Sequence, residues 1–310
     1  MNALVTGGAG FIGSNLVRLL LEKGFRTRVL DNLTTGYAKN LAHMDVEFVQ
    51  GDVRDARTVE NALKGTDVVF HLAASIGNVK SLSNPQEDSE VNVVGTINVL
   101  EAARKNGVRR IVYSSSAAIF GELLTMPIAE DHPQNPDSPY GVSKLAGEKQ
   151  VLCFGRLYDL TVICLRYFNV YGINQRYDAY GNVIPIFANC LFTKSPLTIY
   201  GDGDQTRDFV NVKDVARANL LASTKAQNSG VYNVGCGRNI TINQLAAYVQ
   251  DASGIATSVQ HGPPRKGEVR HCRADISKLV NDFGFQPDAD IVAGLREYFD
   301  WYKNDISTTS

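Results

Sequence analysis

The sequence of 310 residues predicts an α/β fold: a doubly wound parallel sheet with helices on both faces, joined to a smaller mixed α/β part. Three observations carry that expectation. Apolar, strand-like runs alternate with segments of helical periodicity through residues 1–172. A glycine-rich turn separates the first strand from the first helix, and after residue 172 the alternation gives way to short strands and turns rich in Gly, Asn, Pro and Tyr. Repeated strand, helix, strand order requires parallel neighbours, whose ligands gather at the carboxyl ends of the strands. The sheet domain is therefore assigned to 1–172, with segments near 208–235 returning to it, and 173–310 mainly to the second part.

Composition narrows the function. With 44% hydrophobic residues, 20% charged residues and a net charge of -1, the chain has a large core and no general attraction for nucleic acid or an anionic membrane. Its 5 cysteines are scattered, without a Cys-x-x-Cys pair, and read as reduced packing thiols; the 5 histidines form no metal-binding pattern. A strand-like run begins at Met1, leaving no room for a signal peptide, and no apolar run approaches the ~18 residues of a membrane span, so a cytoplasmic location is expected.

In chain order, NALVTGGAGFIGSNLVRLLLEKG reads as strand, glycine turn and helix. Gly7, Gly10 and Gly13 permit a tight bend, backbone access for a pyrophosphate and close packing of helix on strand. Asp31 ends a second strand, TRVL, about 20 residues further on, where a carboxylate accepts hydrogen bonds from ribose hydroxyls and repels a 2'-phosphate, favouring NAD over NADP. The sheet is thus of Rossmann type. VEFVQGDVRD (46–55), a helix near 56–64 and the strand DVVFHLAA (67–74) follow; Asp52 and Val53 lie where a loop edges an adenine, and Ala73 and Ala74 are small enough for close approach of a cofactor. A long helix at 88–106 leads into RRIVYSSS (109–116), which places Ser114, Ser115 and Ser116 at a strand exit.

In SPYGVSKLAGEKQ (138–150), Ser138 is suited to cap a helix and Pro139 to its first turn. Tyr140 and Lys144 then share one helix face. LTVICLRYFNVYG (160–172) reads as another buried strand, and an amphipathic helix with a disordered STTS tail closes the chain.

Taken together, TGGAGFIG, Asp31, GDVRD, HLAA, SSSAAIFG, YGVSK, RYFNVYG, YGDGDQTRDFVNVKD and PPRKGEVRHCRADISK resemble the extended short-chain dehydrogenase/reductases, specifically NAD-dependent nucleotide-sugar epimerases of the UDP-galactose 4-epimerase type. The resemblance runs nearly end to end. It implies Ser116, Tyr140 and Lys144 as the catalytic set, and Phe11, Ile12 and Asn32 beside the glycines and Asp31 at the NAD site. Tyr140 would take the proton of the sugar 4-hydroxyl while hydride leaves C4 for NAD, giving a 4-keto sugar that turns over and is reduced on its other face. A free tyrosine has a pKa of about 10, so a base working near pH 7 needs a shift of about 3 units, roughly 4 kcal/mol, from Lys144 and the positive nicotinamide.

The resemblance also implies Asn169, Asn182, Val183, Thr198, Tyr200, Arg207, Arg265 and Glu268 around the UDP moiety, and a homodimer through the helices near 88–106 and 139–157, where Val91, Val94, Ile97, Val99 and Leu100 offer apolar surface. Dehydratases and decarboxylases of the family carry carboxylates after the serine; positions 114–121 here carry none. Phe120 stands where many relatives have Tyr. Cys272 matches a gatekeeper that is small in enzymes accepting N-acetylated sugars, which favours UDP-GlcNAc/UDP-GalNAc, with UDP-glucose/UDP-galactose also open. Arg176 matches an arginine of relatives acting on UDP-glucuronic acid, or else is a solvated loop residue. A non-catalytic NAD-binding regulator is the alternative from another class.

Overall fold

The structure, a computed structural model, describes residues 1–178, 181–264 and 269–307. Seven parallel strands form the main sheet: β1 (Asn2–Thr6), β2 (Arg26–Asp31), β3 (Glu47–Gln50), β4 (Val68–His71), β5 (Arg110–Ser116), β6 (Thr161–Tyr167) and β11 (Gly230–Val234), four more strands, β7 to β10, intervening in the chain before the last. Their spatial order is β3, β2, β1, β4, β5, β6, β11, so the winding reverses between β1 and β4 and opens a crevice there.

Adjacent residues of each strand serve opposite faces. On one face Val5, Val29, Phe70, Val112 and Ile163 pack with Leu16, Val17 and Leu20 of α1 (Phe11–Glu22) and with Val215, Ala218 and Ala222 of α8 (Val212–Lys225). On the other, Leu4, Leu30, Val69, Ile111 and Val162 meet α2 (Ala56–Ala62), α5 (Gly95–Lys105) and α6 (Pro139–Leu157). Burial on both faces explains the nearly continuous apolar runs of these strands.

Beyond β6, the short strands β7 (Asn169–Tyr171) and β10 (Phe209–Asn211) pair in parallel. β8 (Leu197–Tyr200) pairs with β13 (Val259–Gly262), and β9 (Thr206–Arg207) with β12 (Ile240–Thr241). A separate core joins α7 (Val183–Phe192), α9 (Ile242–Ser253) and α11 (Ile291–Ser307) through Phe187, Leu191, Leu245, Val249, Leu295 and Tyr298. No helix of the described residues is long and apolar enough to cross a membrane, and no described group of His, Cys, Asp and Glu could hold a metal ion.

Three boundaries differ from the sequence expectation. The predicted helix 88–106 is α4 (Pro85–Ser89), a π-type turn over Glu90–Val94, and α5; the turn swings buried Asn92 towards polar partners instead of the core. The strand predicted over 160–172 is interrupted at Phe168, which leaves the main sheet so that β7 can pair with β10. Ser307 of the predicted tail closes α11, while the rest of that tail, 308–310, lies outside the described residues.

Candidate active site

A cleft of about 780 Å³ opens at the carboxyl ends of the strands. Its floor at one end is the turn from β1 to α1. Gly7 has φ +70, and a Cβ there would lie 2.7 Å from the Ala73 nitrogen; a Cβ on Gly13 would lie 2.1 Å from the Gly7 oxygen. Only glycines allow this packing, which keeps α1 pressed on the sheet with its N-terminus open: Gly10 caps the helix without a side-chain hydrogen bond, leaving the first N–H groups to a ligand. Phe11, Ile12, Asn32, Val53, Ala73 and Ala74 line the same end.

Asp31 accepts hydrogen bonds from the amides of Ala9 at 2.9 Å and Leu33 at 2.8 Å, so its carboxylate is fixed at the tip of β2. Asp52 lies behind the wall: Arg54 and Asn32 bind its carboxylate and hold its pKa well below the usual range. These features fit a dinucleotide that is adenosine at one end and pyrophosphate over the glycines: the cradle would be filled by any side chain, and it carries a carboxylate where a ribose would lie.

In the middle of the cleft stand Ser116, Tyr140 and Lys144. Ser116 ends β5, whose pairing with β6 sets Ser116 against Tyr167. Tyr140 lies in the first turn of α6, where Ser138 accepts from the Gly141 amide at 3.2 Å and Pro139 opens the helix, as the sequence predicts. Burial pushes the Tyr140 phenol up, hydrogen bonding with Ser116 opposes this, and the Asp88 carboxylate adds to the rise. Burial pulls Lys144 down to about 8, against the opposing pull of Asp88; its Nζ lies 4.5 Å from the centre of the Tyr113 ring.

Two buried polar groups hold this helix in place. One turn beyond Lys144, Glu148 receives Arg166 Nε at 3.0 Å, Arg166 Nη2 at 2.7 Å and Ser115 Oγ at 2.7 Å, with the two charged side chains 0% and 1% exposed. On the opposite flank Ser143 donates to Asp88 and accepts from Asn92 Nδ2 at 3.0 Å; Asn92 in turn exchanges two hydrogen bonds with the Ser75 backbone, at 2.8 and 3.0 Å. Sequence reasoning missed this second network. The buried Asn92, set in a helical run of apolar residues, was the available signal.

Asn169, Asn182, Arg207 and Cys272 reach the far end of the cleft. Arg207 and Cys272 are positioned by buried Asp208, which accepts from the amides of Cys236 at 2.6 Å, Gly237 at 3.0 Å and Ala274 at 3.0 Å and is held up to about 6 by burial. Burial also pushes the Cys272 thiol up to about 12, so it is a neutral wall residue. Val183, Thr198 and Tyr200 do not line the cleft: Val183 opens α7, Thr198 receives Gln260 Nε2 at 2.8 Å on β8, and the Tyr200 carbonyl binds Gln205. Arg265 and Glu268 lie outside the described residues. Arg176 is neither a cleft residue nor solvated; its guanidinium is paired with Asp305.

The model of the NAD dependent epimerase/dehydratase family matches residues 3–235. The chain belongs to that family. As a member it is an enzyme, an isomerase of the nucleotide-sugar 4-epimerase type, and its cofactor is NAD. A putative UDP-glucose 4-epimerase of Methanocaldococcus jannaschii is 41% identical over 307 residues, covering 98% of this chain and 99% of the relative. Among solved structures, the UDP-glucose 4-epimerase of Thermus thermophilus in complex with NAD is 39% identical with TM-score 0.89, covering 98% of this chain and 99% of that one. The UDP-N-acetylglucosamine 4-epimerase of Methanobrevibacter ruminantium, in complex with UDP-N-acetylmuramic acid, is 36% identical with TM-score 0.94, covering 98% of each chain. In this chain Asp31, Ser116, Tyr140 and Lys144 line one cleft.

Proposed function

We propose that the protein interconverts UDP-GlcNAc and UDP-GalNAc by inverting C4 through a transient 4-keto sugar, with UDP-glucose and UDP-galactose as further substrates. The observation that carries this reading is the placement of Ser116, Tyr140 and Lys144 together in mid-cleft, between the glycine turn and the Arg207, Cys272 end. Gly7, Gly10, Phe11, Ile12, Gly13 and Asp31 would hold NAD, with Asn32, Val53, Ala73 and Ala74 along its flank. When bound, NAD supplies the hydride acceptor and donor together with positive charge that favours a phenolate.

Tyr140 accepts the proton of the sugar 4-hydroxyl. Ser116 holds the same oxygen, and Lys144 supplies a fixed positive charge near the phenolate that forms. Without added positive charge burial favours the phenol, so the base is active only in the loaded site. After the keto sugar presents its other face, Tyr140 returns the proton to the oxygen. Ala117 and Ala118 follow Ser116 on the cleft wall, so elimination lacks an acid and base there.

Asn169 and Arg207 suit the diphosphate, the guanidinium by its paired donors, and Asn182 the uracil. The small Cys272 leaves room for an acetamido group. The pairing of Arg176 with Asp305 weighs against the uronic acid reading, which looked to this arginine to hold a sugar carboxylate. A homodimer through the π-type turn before α5 and through α6 is supported by Val94 and Val142, which are 48% and 53% exposed; Val99 and Leu100, expected to offer surface there, are instead buried in the sheet core.

Incubation with UDP-glucose, UDP-GlcNAc and UDP-glucuronic acid in turn, followed by the anomeric proton signals in NMR, tests the substrate. The expected result is fastest epimerisation of UDP-GlcNAc. Exclusive turnover of UDP-glucuronic acid contradicts the sugar assignment, and retained NAD without turnover of any UDP-sugar favours a regulator.

A further inference from the structure

Arg176 lies outside the cleft yet is one of the most fully engaged cations of the described chain. Its Nε donates to Asp305 Oδ2 at 2.9 Å and its Nη2 to Asp305 Oδ1 at 2.8 Å, while Nη2 also donates to Asn40 Oδ1 at 3.0 Å. The guanidinium is flanked by the Tyr37 ring at 4.1 Å and the Trp301 ring at 5.4 Å. Arg176 and Asp305 are 16% and 12% exposed, so this pair is shielded from water and salt far better than a surface ion pair.

The elements it joins give the cluster its meaning. Trp301 and Asp305 belong to α11, in the second part of the molecule. Tyr37 and Asn40 belong to the segment after Asp31, which passes Thr34 and Thr35 along the NAD end of the cleft. That segment grips the glycine turn: Asn40 Nδ2 donates to the Ala9 carbonyl at 2.8 Å and the Tyr37 amide donates to it at 3.0 Å, while the Ala9 amide donates to Asp31.

The residues preceding Arg176 make parallel ties. Asn15 Nδ2 of α1 donates to the Ile173 carbonyl at 2.9 Å, Asn174 Nδ2 donates to Ser14 Oγ at 2.9 Å, and Tyr298 of α11 donates to the Gln175 carbonyl at 2.9 Å. Residues 173–176 thus strap the phosphate-facing end of α1 and the 34–41 segment to α11.

We propose that Arg176 is a positioning residue that clamps the adenosine and pyrophosphate end of the NAD site against α11, keeping the cofactor bound from one turnover to the next. Apart from its hydrogen bonds to the glycine turn, the segment after Asp31 has little apolar anchorage: Tyr37 is exposed, Leu33 is only partly buried, and Leu41 is its one buried apolar side chain between residues 32 and 41. An epimerase returns its cofactor to the oxidised form in each cycle, so escape of the reduced cofactor in mid-cycle would strand the keto sugar without its hydride. A guanidinium suits the role because one planar group can fork onto a carboxylate, reach a third acceptor and stack between rings, which an ammonium cannot do.

The proposal rests on NAD as the cofactor and does not depend on which UDP-sugar is used. The test compares Arg176→Leu, Arg176→Lys, Asn40→Ala and Lys39→Ala in the full chain, measuring exchange of bound NAD against labelled NAD, the KM for UDP-sugar, and kcat with NAD in excess. Lys39 also pairs with Asp305, at 2.7 Å, but from the rim, and serves as the control. NAD exchange is expected to quicken about tenfold in Arg176→Leu, with partial recovery in Arg176→Lys. It should also quicken in Asn40→Ala, which leaves the Arg176, Asp305 pair intact and so keeps the test open if Arg176→Leu does not fold. Lys39→Ala should exchange NAD as the parent does, and KM for UDP-sugar should hold in all of them. Unchanged NAD exchange in folded Arg176→Leu or Asn40→Ala overturns the proposal, as does a change confined to the KM for UDP-sugar.

Discussion

The two walls of the cleft are built on different principles. The NAD wall is made from strand ends and helix starts around one continuous sheet, so Gly7, Asp31 and Ser116 sit at or just beyond the tips of paired strands and Tyr140 in the first turn of α6. The opposite wall is assembled from pieces of two-stranded sheets and connecting segments, where Asp208, beside Arg207, binds the amides of Cys236, Gly237 and Ala274 and so ties those segments together. On the proposed mechanism the proton transfer sits on the rigid wall, and the choice of sugar on the wall held by side chains.

Substitutions on the two walls should therefore fail differently. The largest effect is expected from Tyr140→Phe on the rigid wall: turnover should fall by about 10²–10⁴-fold, the range of a general base, while bound NAD is retained. Steady-state rates and the NAD absorbance of the purified variant check this together. Next comes Glu148→Ala, which leaves the Arg166 guanidinium buried without its partner; a loss of about 3–5 kcal/mol in denaturant unfolding is expected. On the selecting wall, Cys272→Tyr should leave the fold intact and lower kcat/KM for UDP-GlcNAc by roughly 10–200-fold relative to UDP-glucose, the scale of a steric change in a pocket.

The smallest effect is a pH dependence. Lys144 is held down to about 8, so its charge is lost as pH rises through that value and activity should decline above it. Its contribution to stability has the opposite sign. An unfolded lysine titrates near 10.4, so between about 8 and 10.4 the unfolded chain binds the extra proton and this group's contribution rises with pH. A rate profile that declines above pH 8 while the Lys144-dependent part of the melting temperature does not would separate the two.

Legibility in the sequence follows the same division. The glycine turn, Asp31 and the Ser138-capped helix with Tyr140 and Lys144 were readable because each depends on neighbours within a few residues or on a fixed spacing. The π-type turn at Asn92 was not, because it is set by Ser75 and Ser143 on other elements. Nor was Arg176, whose partner Asp305 lies 129 residues away; nothing local separates a clamped arginine from a solvated one or from a ligand for a sugar carboxylate. Thr198 and Tyr200, assigned by resemblance, lie on β8 away from the cleft lining, a placement set by pairing with β13 that local sequence does not encode.

The central claim is that C4 is inverted by hydride leaving and returning to the same carbon, with Tyr140 moving only the hydroxyl proton. The most direct measurement uses UDP-GlcNAc carrying deuterium at C4, incubated in ordinary water with the protein as purified and no added NAD. The account predicts UDP-GalNAc with the deuterium still on C4 and a slowed rate; product in which the label has washed out into solvent would contradict it.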